Sequence, residues 1–505
     1  PNGVRDRKIQ DITDEIIRKY RSDIERPLIG TQEQSSADDD LRYPLISEGF
    51  IPQAYKLLKY SGSEHLELPK TWEPLTAQQD MMPFWARYCL DPGSTESLLL
   101  ILGEPGGGKS LLTKVLCARM CAPASMFVRI PLRDHDVEDE IENIVCRQIS
   151  FDGDASEQIP TFKWFVEGSP DAPMTLVFDG YDEVLQATGG VYRALLNKIQ
   201  KFQNRCRSLR RPVRIIVTSR ETLIDKTEIP EGTMVMKLLE FDSPRKDQWI
   251  GIWNAHNHTV LSEAGICDFS LPENSQDIDD LSSQPLLLMM LAMYDADFET
   301  GTNALKPKEG QVEKLDRTKL YDELLRRFVR RELRKGHRGN EVPFDEREEA
   351  EKNTLVDEEM RKLGIAALGM FVREKLSLEV GELDNDLEYM KIRFPDYAAR
   401  NTTMLKNAEV FLGSFFFIHD PRRKNGPDEK KAASKFLHKN GPEEKVAFEF
   451  LHKTFYEFLV ADFILQNLLD AVDEMDGIRS ARKYGDANYW KALDRTDSFR
   501  NTYYV

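Results

Sequence analysis

Eight consecutive residues, Gly103-Glu104-Pro105-Gly106-Gly107-Gly108-Lys109-Ser110, fill the pattern G-x-x-x-x-G-K-S/T. Glycines at this density let backbone N–H groups turn inward around an anion. An apolar run, Ser97–Leu102, leads into the loop and a helix-forming run, LLTKVLCARM, leaves it. The loop therefore opens a helix, whose positive dipole end favours phosphate. Lys109 supplies a point charge for β- and γ-phosphate oxygens, and the Ser110 hydroxyl can sit on Mg²⁺. A glycine-rich turn without a ligand is the plain alternative, and the flanking strand and helix argue against it.

Two further segments supply the rest of such chemistry. In Met174-Thr175-Leu176-Val177-Phe178-Asp179-Gly180-Tyr181-Asp182-Glu183, an apolar strand delivers Asp179 to its C-terminal end, where one carboxylate can hold the Mg²⁺ shell. Asp182 and Glu183 follow, placed to orient or deprotonate an attacking water, or simply to cap a helix start. Val213-Arg214-Ile215-Ile216-Val217-Thr218-Ser219-Arg220 ends a third strand in hydroxyls and an arginine that can sense a γ-phosphate from a neighbouring strand.

These residues need a rigid frame, and the chain is long enough to build one. At 505 residues, with a prior of about 150 per domain, roughly three domains are expected. The net charge is −17 and 41% of the residues are hydrophobic, which speaks against a general nucleic-acid coat, an anionic-membrane binder or a disordered chain. Cys89, Cys117, Cys121, Cys146, Cys206 and Cys267 show no paired C-x-x-C spacing. That predicts a reducing cytoplasm, with neither a zinc site nor a disulfide framework. No apolar run reaches membrane-spanning length, and PNGVRDRKIQ carries no signal-peptide core. Pro1 and Val505 read as trimmed ends, so a longer native chain is expected.

Strand-length apolar runs (SLLLILG, MFVRIPL, MTLVFDG, VRIIVTS) alternate with helical stretches between 97 and about 225. This predicts an α/β fold with a parallel sheet covered by helices on both faces. Amphipathic helices dominate from about 240 onward, with short pieces near 411–419 and 446–451 that would make a small hairpin. Ile9, Ile12, Ile16 and Ile17 form the apolar stripe of an N-terminal helix, followed by an acidic, Ser-rich linker. The expected divisions are 1–42, N-terminal helix and linker; 43–96, an extended and helical lead-in; and 97–240, the nucleotide-binding domain. Beyond them come 241–345, a helical domain; 346–466, a winged-helix-like domain with a charged insertion at 420–445; and 467–505, the start of a further helical region. The Arg- and Lys-rich run 326–335 and the Arg205–Arg214 cluster read as solvated helix faces, and QPLLLMMLAM as core.

The three motifs in this order resemble the NACHT class of STAND P-loop NTPases, relatives of animal NOD-like receptors. Downstream, Ser283-Gln284-Pro285-Leu286-Leu287-Leu288 is similar to the family's P-L-L-L helix, and Arg317-Thr318-Lys319-Leu320-Tyr321 to its R-T-x-L-Y helix start. Phe450-Leu451-His452-Lys453-Thr454-Phe455-Tyr456-Glu457-Phe458-Leu459-Val460-Ala461 resembles its winged-helix signature F-x-H-x-x-F-x-E-F-L-x-A. The resemblance spans roughly residues 97 to 466 and looks most like bacterial members. Tyr181 replaces a usual aliphatic residue, and the insertion at 420–445 interrupts the winged-helix region.

The resemblance implies ATP/ADP and Mg²⁺ as cofactors, Pro285 near the adenine, and His452 reaching the β-phosphate of ADP to hold a closed state. By itself His452 would more ordinarily be a core histidine. The implied function is a nucleotide-operated switch with low ATPase turnover that oligomerises with itself when activated. In bacteria this points to antiviral defence, with a trigger such as a phage component. No membrane partner is expected, and nucleic acid is not an expected partner of this segment. A motor-type ATPase, a signal-responsive transcription regulator and a scaffold with a dead nucleotide site are the competing readings. No nuclease, protease or TIR-like motif stands in residues 1–96, which puts any effector elsewhere.

Overall fold

The structure, a computed structural model, describes residues 2–28, 41–123, 125–153, 173–187, 192–221, 224, 227–273, 275–298, 300–305, 316–335, 344–373, 377–379, 382, 385–386, 417–419, 447–450 and 453–484. It divides into two compact units, Pro1–Leu320 and Tyr321–Val505.

The first unit is built on a six-stranded sheet: β1 Tyr55–Lys59, β2 Leu99–Gly103, β3 Phe127–Pro131, β4 Met174–Asp179, β5 Val213–Arg220 and β6 Met234–Leu238. Their order across the sheet is β1-β6-β2-β5-β4-β3, and all neighbours are parallel except β1, which pairs antiparallel with β6. Every residue of β2, β4 and β5 is buried. That explains their unbroken apolar sequences, because a strand covered by helices on both faces has no solvent side to alternate with. β1 behaves differently: YKLLK buries only Tyr55 fully and is half polar, as an edge strand can be.

In the first unit the main helices are α1 Asn2–Ile24, α2 Met82–Leu90, α3 Lys109–Met120, α4 Ile141–Asp152, α5 Tyr181–Ala187, α6 Leu195–Ser208, α7 Ser243–Glu263, α8 Gln276–Ser282 and α9 Pro285–Asp295. α1 buries Ile16, Ile17, Tyr20 and Ile24 against α3 and α4, so the N-terminal helix is part of the sheet's own core. α7 starts where Asp242 accepts a hydrogen bond from the Arg245 N–H and Pro244 occupies the first turn. α9 is apolar all round, with Leu287, Leu288, Met290 and Leu291 buried.

In the second unit, the helix Glu349–Val372 packs on Lys453–Tyr484, and a Cβ on Gly364 would lie 2.7 Å from the Phe463 ring, so the crossing needs glycine there. The Tyr321 ring meets Phe455 edge-on at 5.5 Å and stacks on Phe458 at 5.7 Å. Strand Ala447–Phe450 pairs antiparallel with Phe417–His419 on one side and Ser377–Glu379 on the other. The hairpin expected from the sequence is present, and a third strand joins it. Among the described residues no helix is long and apolar enough to cross a membrane.

Candidate functional site

The motif strands end together. Gly103 lies opposite Arg220 in the β2–β5 register, and β5 also pairs with β4, which ends at Asp179. One edge of the sheet thus collects the glycine loop, the aspartate and the arginine, at the carboxyl ends where parallel sheets build ligand crevices.

The loop's shape follows from its glycines. Gly106 and Gly108 have φ of 76° and 77°, conformations open to glycine at little cost. A Cβ on Gly107 would lie 2.9 Å from the Glu104 carbonyl oxygen, and the Gly107 N–H donates to that same oxygen at 3.0 Å. Gly108 then caps α3. Lys109 folds back over the loop, its Nζ donating to the carbonyls of Gly103 at 2.8 Å and Glu104 at 3.0 Å. An ammonium carries three N–H bonds, so two loop carbonyls leave one for a phosphate oxygen. Burial pushes the Lys109 ammonium below its ordinary pKa, and the nearby Asp182 carboxylate pulls the other way.

Asp179 is 4% exposed and fully engaged. Its Oδ1 accepts from Thr218 Oγ1 at 2.7 Å and from Ser110 Oγ at 3.2 Å, and its Oδ2 accepts from the Arg129 guanidinium. Burial alone would raise the Asp179 carboxyl. The charge of Arg129 and the hydrogen bonds from Thr218, Arg129 and Ser110 outweigh it and hold the group below the usual carboxylate range. The Thr218 hydroxyl also accepts from the Gly180 N–H at 2.9 Å, fixing the turn that follows.

Beyond that turn, Asp182 Oδ2 and Arg220 Nε form a buried ion pair at 2.9 Å. Asp182, expected to orient or deprotonate an attacking water, and Arg220, expected to sense the γ-phosphate, are thus in contact with each other. The Glu183 side chain folds over Gly180, where an added Cβ would stand 3.3 Å from its carboxyl carbon. Tyr181, in place of an aliphatic residue, is wholly buried, and its hydroxyl donates to the carbonyls of Tyr192 and Arg193 at 3.0 and 3.2 Å.

Pro285 opens α9 and lines a small pocket beside the loop with Gln53, Glu104, Gly107 and Leu239. Leu286 sits so close that a Cβ on Gly106 would stand 3.2 Å from its own. His452 lies outside the described residues.

The donor set fits a metal–phosphate complex. Among the described residues no group of three or more His, Cys, Asp or Glu side chains could hold a metal. Mg²⁺ is usually held by one or two carboxylates together with phosphate oxygens and water, which is what Ser110 and Asp179 could share with a nucleotide.

The chain has a P-loop NTPase fold. No family model matches it, and no curated protein matches it. Among solved structures it is similar to the Aeropyrum pernix ORC1 protein in complex with DNA, at 11% identity and a TM-score of 0.28, over 83% of this chain and 100% of that one. The Aeropyrum pernix ORC2 protein, in ADPNP–ADP complexes, is similar at 11% identity and a TM-score of 0.33, over 81% and 100%. Cdc6p from Pyrobaculum aerophilum is similar at 12% and 0.21, again over 81% and 100%. Likenesses this loose leave the chemistry to be read from the residues themselves.

Two residues of the site carry no motif. Arg129 stands in the middle of the apolar run MFVRIPL, and a charge in a buried strand demands a partner, which was a readable signal. Gln53 is buried, with Nε2 donating to the Leu239 carbonyl at 2.9 Å, and nothing in FIPQAY marks it.

Proposed function

We propose that the chain is an adenine-nucleotide-operated switch of the NACHT/STAND class. The observation that carries this reading is the single sheet edge at which the Gly103–Ser110 loop, Asp179 and the Asp182–Arg220 pair meet. The loop amides, the α3 N-terminus and Lys109 bind the phosphates of ATP or ADP, while Ser110 and Asp179 hold Mg²⁺. Bound there, the metal neutralises phosphate charge. Pro285 and Gln53 border the adenine.

Asp182 already accepts from Arg220, so its role is to aim that guanidinium at the γ-phosphate. Glu183, one residue on, takes the proton of the attacking water. Hydrolysis is slow and serves switching. ADP holds a closed state and ATP an open one that self-associates, in answer to a trigger such as a phage component. A ligand shifts such an equilibrium only through contacts that differ between the states. The resemblance supplies one, His452 on the β-phosphate of ADP. The packing of Tyr321 on Phe455 and Phe458, which joins two of the family-like segments, supports that reading of the second unit. Defence against phage rests on the likeness to bacterial members.

Calorimetry with Mg-ADP and Mg-ATP tests the site. Lys109→Ala is expected to lose binding, since each hydrogen bond to a charged group contributes about 1.5–3 kcal/mol. Undiminished affinity in that variant would rule the site out. Glu183→Gln should stop turnover with binding kept, and Asp182→Asn should weaken the discrimination of ATP from ADP. His452→Ala should speed ADP release about ten- to hundred-fold. Unchanged release in a folded variant removes the latch and leaves the nucleotide site standing.

A further inference from the structure

We propose that Arg129 sets the divalent-cation affinity of the Asp179 site, as a resident counter-ion with which the metal of a metal–nucleotide complex must compete. The proposal rests on the reading of this crevice as a Mg-nucleotide site. Three observations on the chain itself carry it further.

First, the pair is enclosed: the side chains of Arg129 and Asp179 are 18% and 3% exposed. Ions withdrawn this far from water depend on each other far more than surface ions do. Second, Arg129 is held in place at both ends. Its Nε donates to Thr113 Oγ1 at 3.0 Å, on the helix that the phosphate loop opens. Its backbone N–H donates to the Tyr20 hydroxyl at 2.9 Å, and that hydroxyl donates to Asp152 Oδ2 at 2.8 Å, beside the Lys19–Asp152 ion pair at 2.6 Å. The guanidinium therefore reaches Asp179 from a strand position pinned by the N-terminal helix, and is not a flexible surface arginine that has drifted onto an acid. Third, the acceptors are divided. Oδ1 of Asp179 serves Thr218 and Ser110, and Oδ2 serves Arg129. A cation that draws on this carboxylate shares it with a fixed positive charge or displaces it.

Charges a few ångströms apart at an effective dielectric of about 20 interact strongly enough to move an equilibrium by at least about a decade. The site would thus ask for more Mg²⁺ than its carboxylate alone would require, and α1 would be connected to that demand through Tyr20.

The test measures ADP affinity by calorimetry over a Mg²⁺ titration, against a baseline in EDTA so that any direct effect of Arg129 on phosphate cancels. In Arg129→Met, which keeps the apolar stem and drops the charge, the Mg²⁺ concentration giving half the gain in affinity should fall about ten-fold. Arg129→Lys, which keeps the charge, should stay near the wild type. If thermal unfolding shows that Arg129→Met does not fold, Arg129→Gln takes its place, retaining a neutral donor to Asp179. A Mg²⁺ requirement unchanged or raised in the neutral variant overturns the proposal, because Arg129 then only holds Asp179 in position. A wild type that binds no ADP with or without Mg²⁺ instead brings down the nucleotide reading, and this proposal with it.

Discussion

The ion pairs at the strand ends of the first unit and those around Arg326 and Arg330 in the second differ in burial and so in what they can do. At the sheet edge of the first unit, Arg129–Asp179 and Arg220–Asp182 are almost sealed, with side-chain exposures of 18% and 3%, and 8% and 7%. In the second unit, Arg326 pairs with Asp322 and Asp357, and Arg330 with Glu349, at exposures between 23% and 62%. Surface pairs contribute about 0–1 kcal/mol because water and salt screen them. Breaking a buried pair strands a charge and costs about 3–5 kcal/mol. Residue type alone does not tell a reactive charge from a solubilising one; burial does. Arg326 and Arg330, from the basic run read as a solvated face, supply the more exposed side of this contrast.

The contrast fixes an order of effects. Asp179→Ala should destabilise the protein by about 3–5 kcal/mol in urea unfolding, and adding Arg129→Met should recover much of the loss, because the stranded charge goes with it. If the double variant is no better than the single one, the pair is not the source of the cost. Lys114, one turn beyond Ser110, is pushed by burial down to about 8. A lysine whose folded pKa lies below its unfolded one makes the unfolded chain the better proton binder between the two values. Lys114 therefore contributes stability that rises with pH from about 8 toward the ordinary lysine value near 10.4, against the fall contributed by buried thiols such as Cys121 and Cys206, which burial pushes up to about 11 and about 12. Lys114→Met should remove that contribution, so the variant's stability should fall relative to the wild type's as pH rises through this range; parallel profiles would mean that another group is responsible. Tyr181→Phe should cost about 0.5–1.5 kcal/mol, the worth of a hydrogen bond whose carbonyl partners can find others. Arg330→Ala, breaking an exposed pair, should fall within about 1 kcal/mol of wild type; a loss like that of Asp179→Ala would erase the distinction between the two regions.

Much of the first unit could be read from the chain. The four strands β2 to β5 are continuous apolar runs, and the loop, Asp179 and Arg220 follow from motifs whose spacing is itself the chemistry. β1 and β6 escaped, because YKLLK and MVMKL mix lysines into runs too short to separate strand from helix by periodicity. Which strands neighbour each other was not legible either: β5 lies between β2 and β4, and only that order brings Arg220 opposite Gly103. The contact between Asp182 and Arg220 depends on this tertiary fact, as does the pairing of Arg129 with Asp179. Local sequence names the charged groups, and the sheet order decides which of them meet.

Everything proposed for the site depends on one crevice at the sheet edge holding an adenine nucleotide. The most direct measurement is to purify the protein, denature it and chromatograph what is released. ADP or ATP is expected near one equivalent per chain from the wild type and none from Lys109→Ala. Another cofactor, or an equal yield of nucleotide from Lys109→Ala, would contradict it.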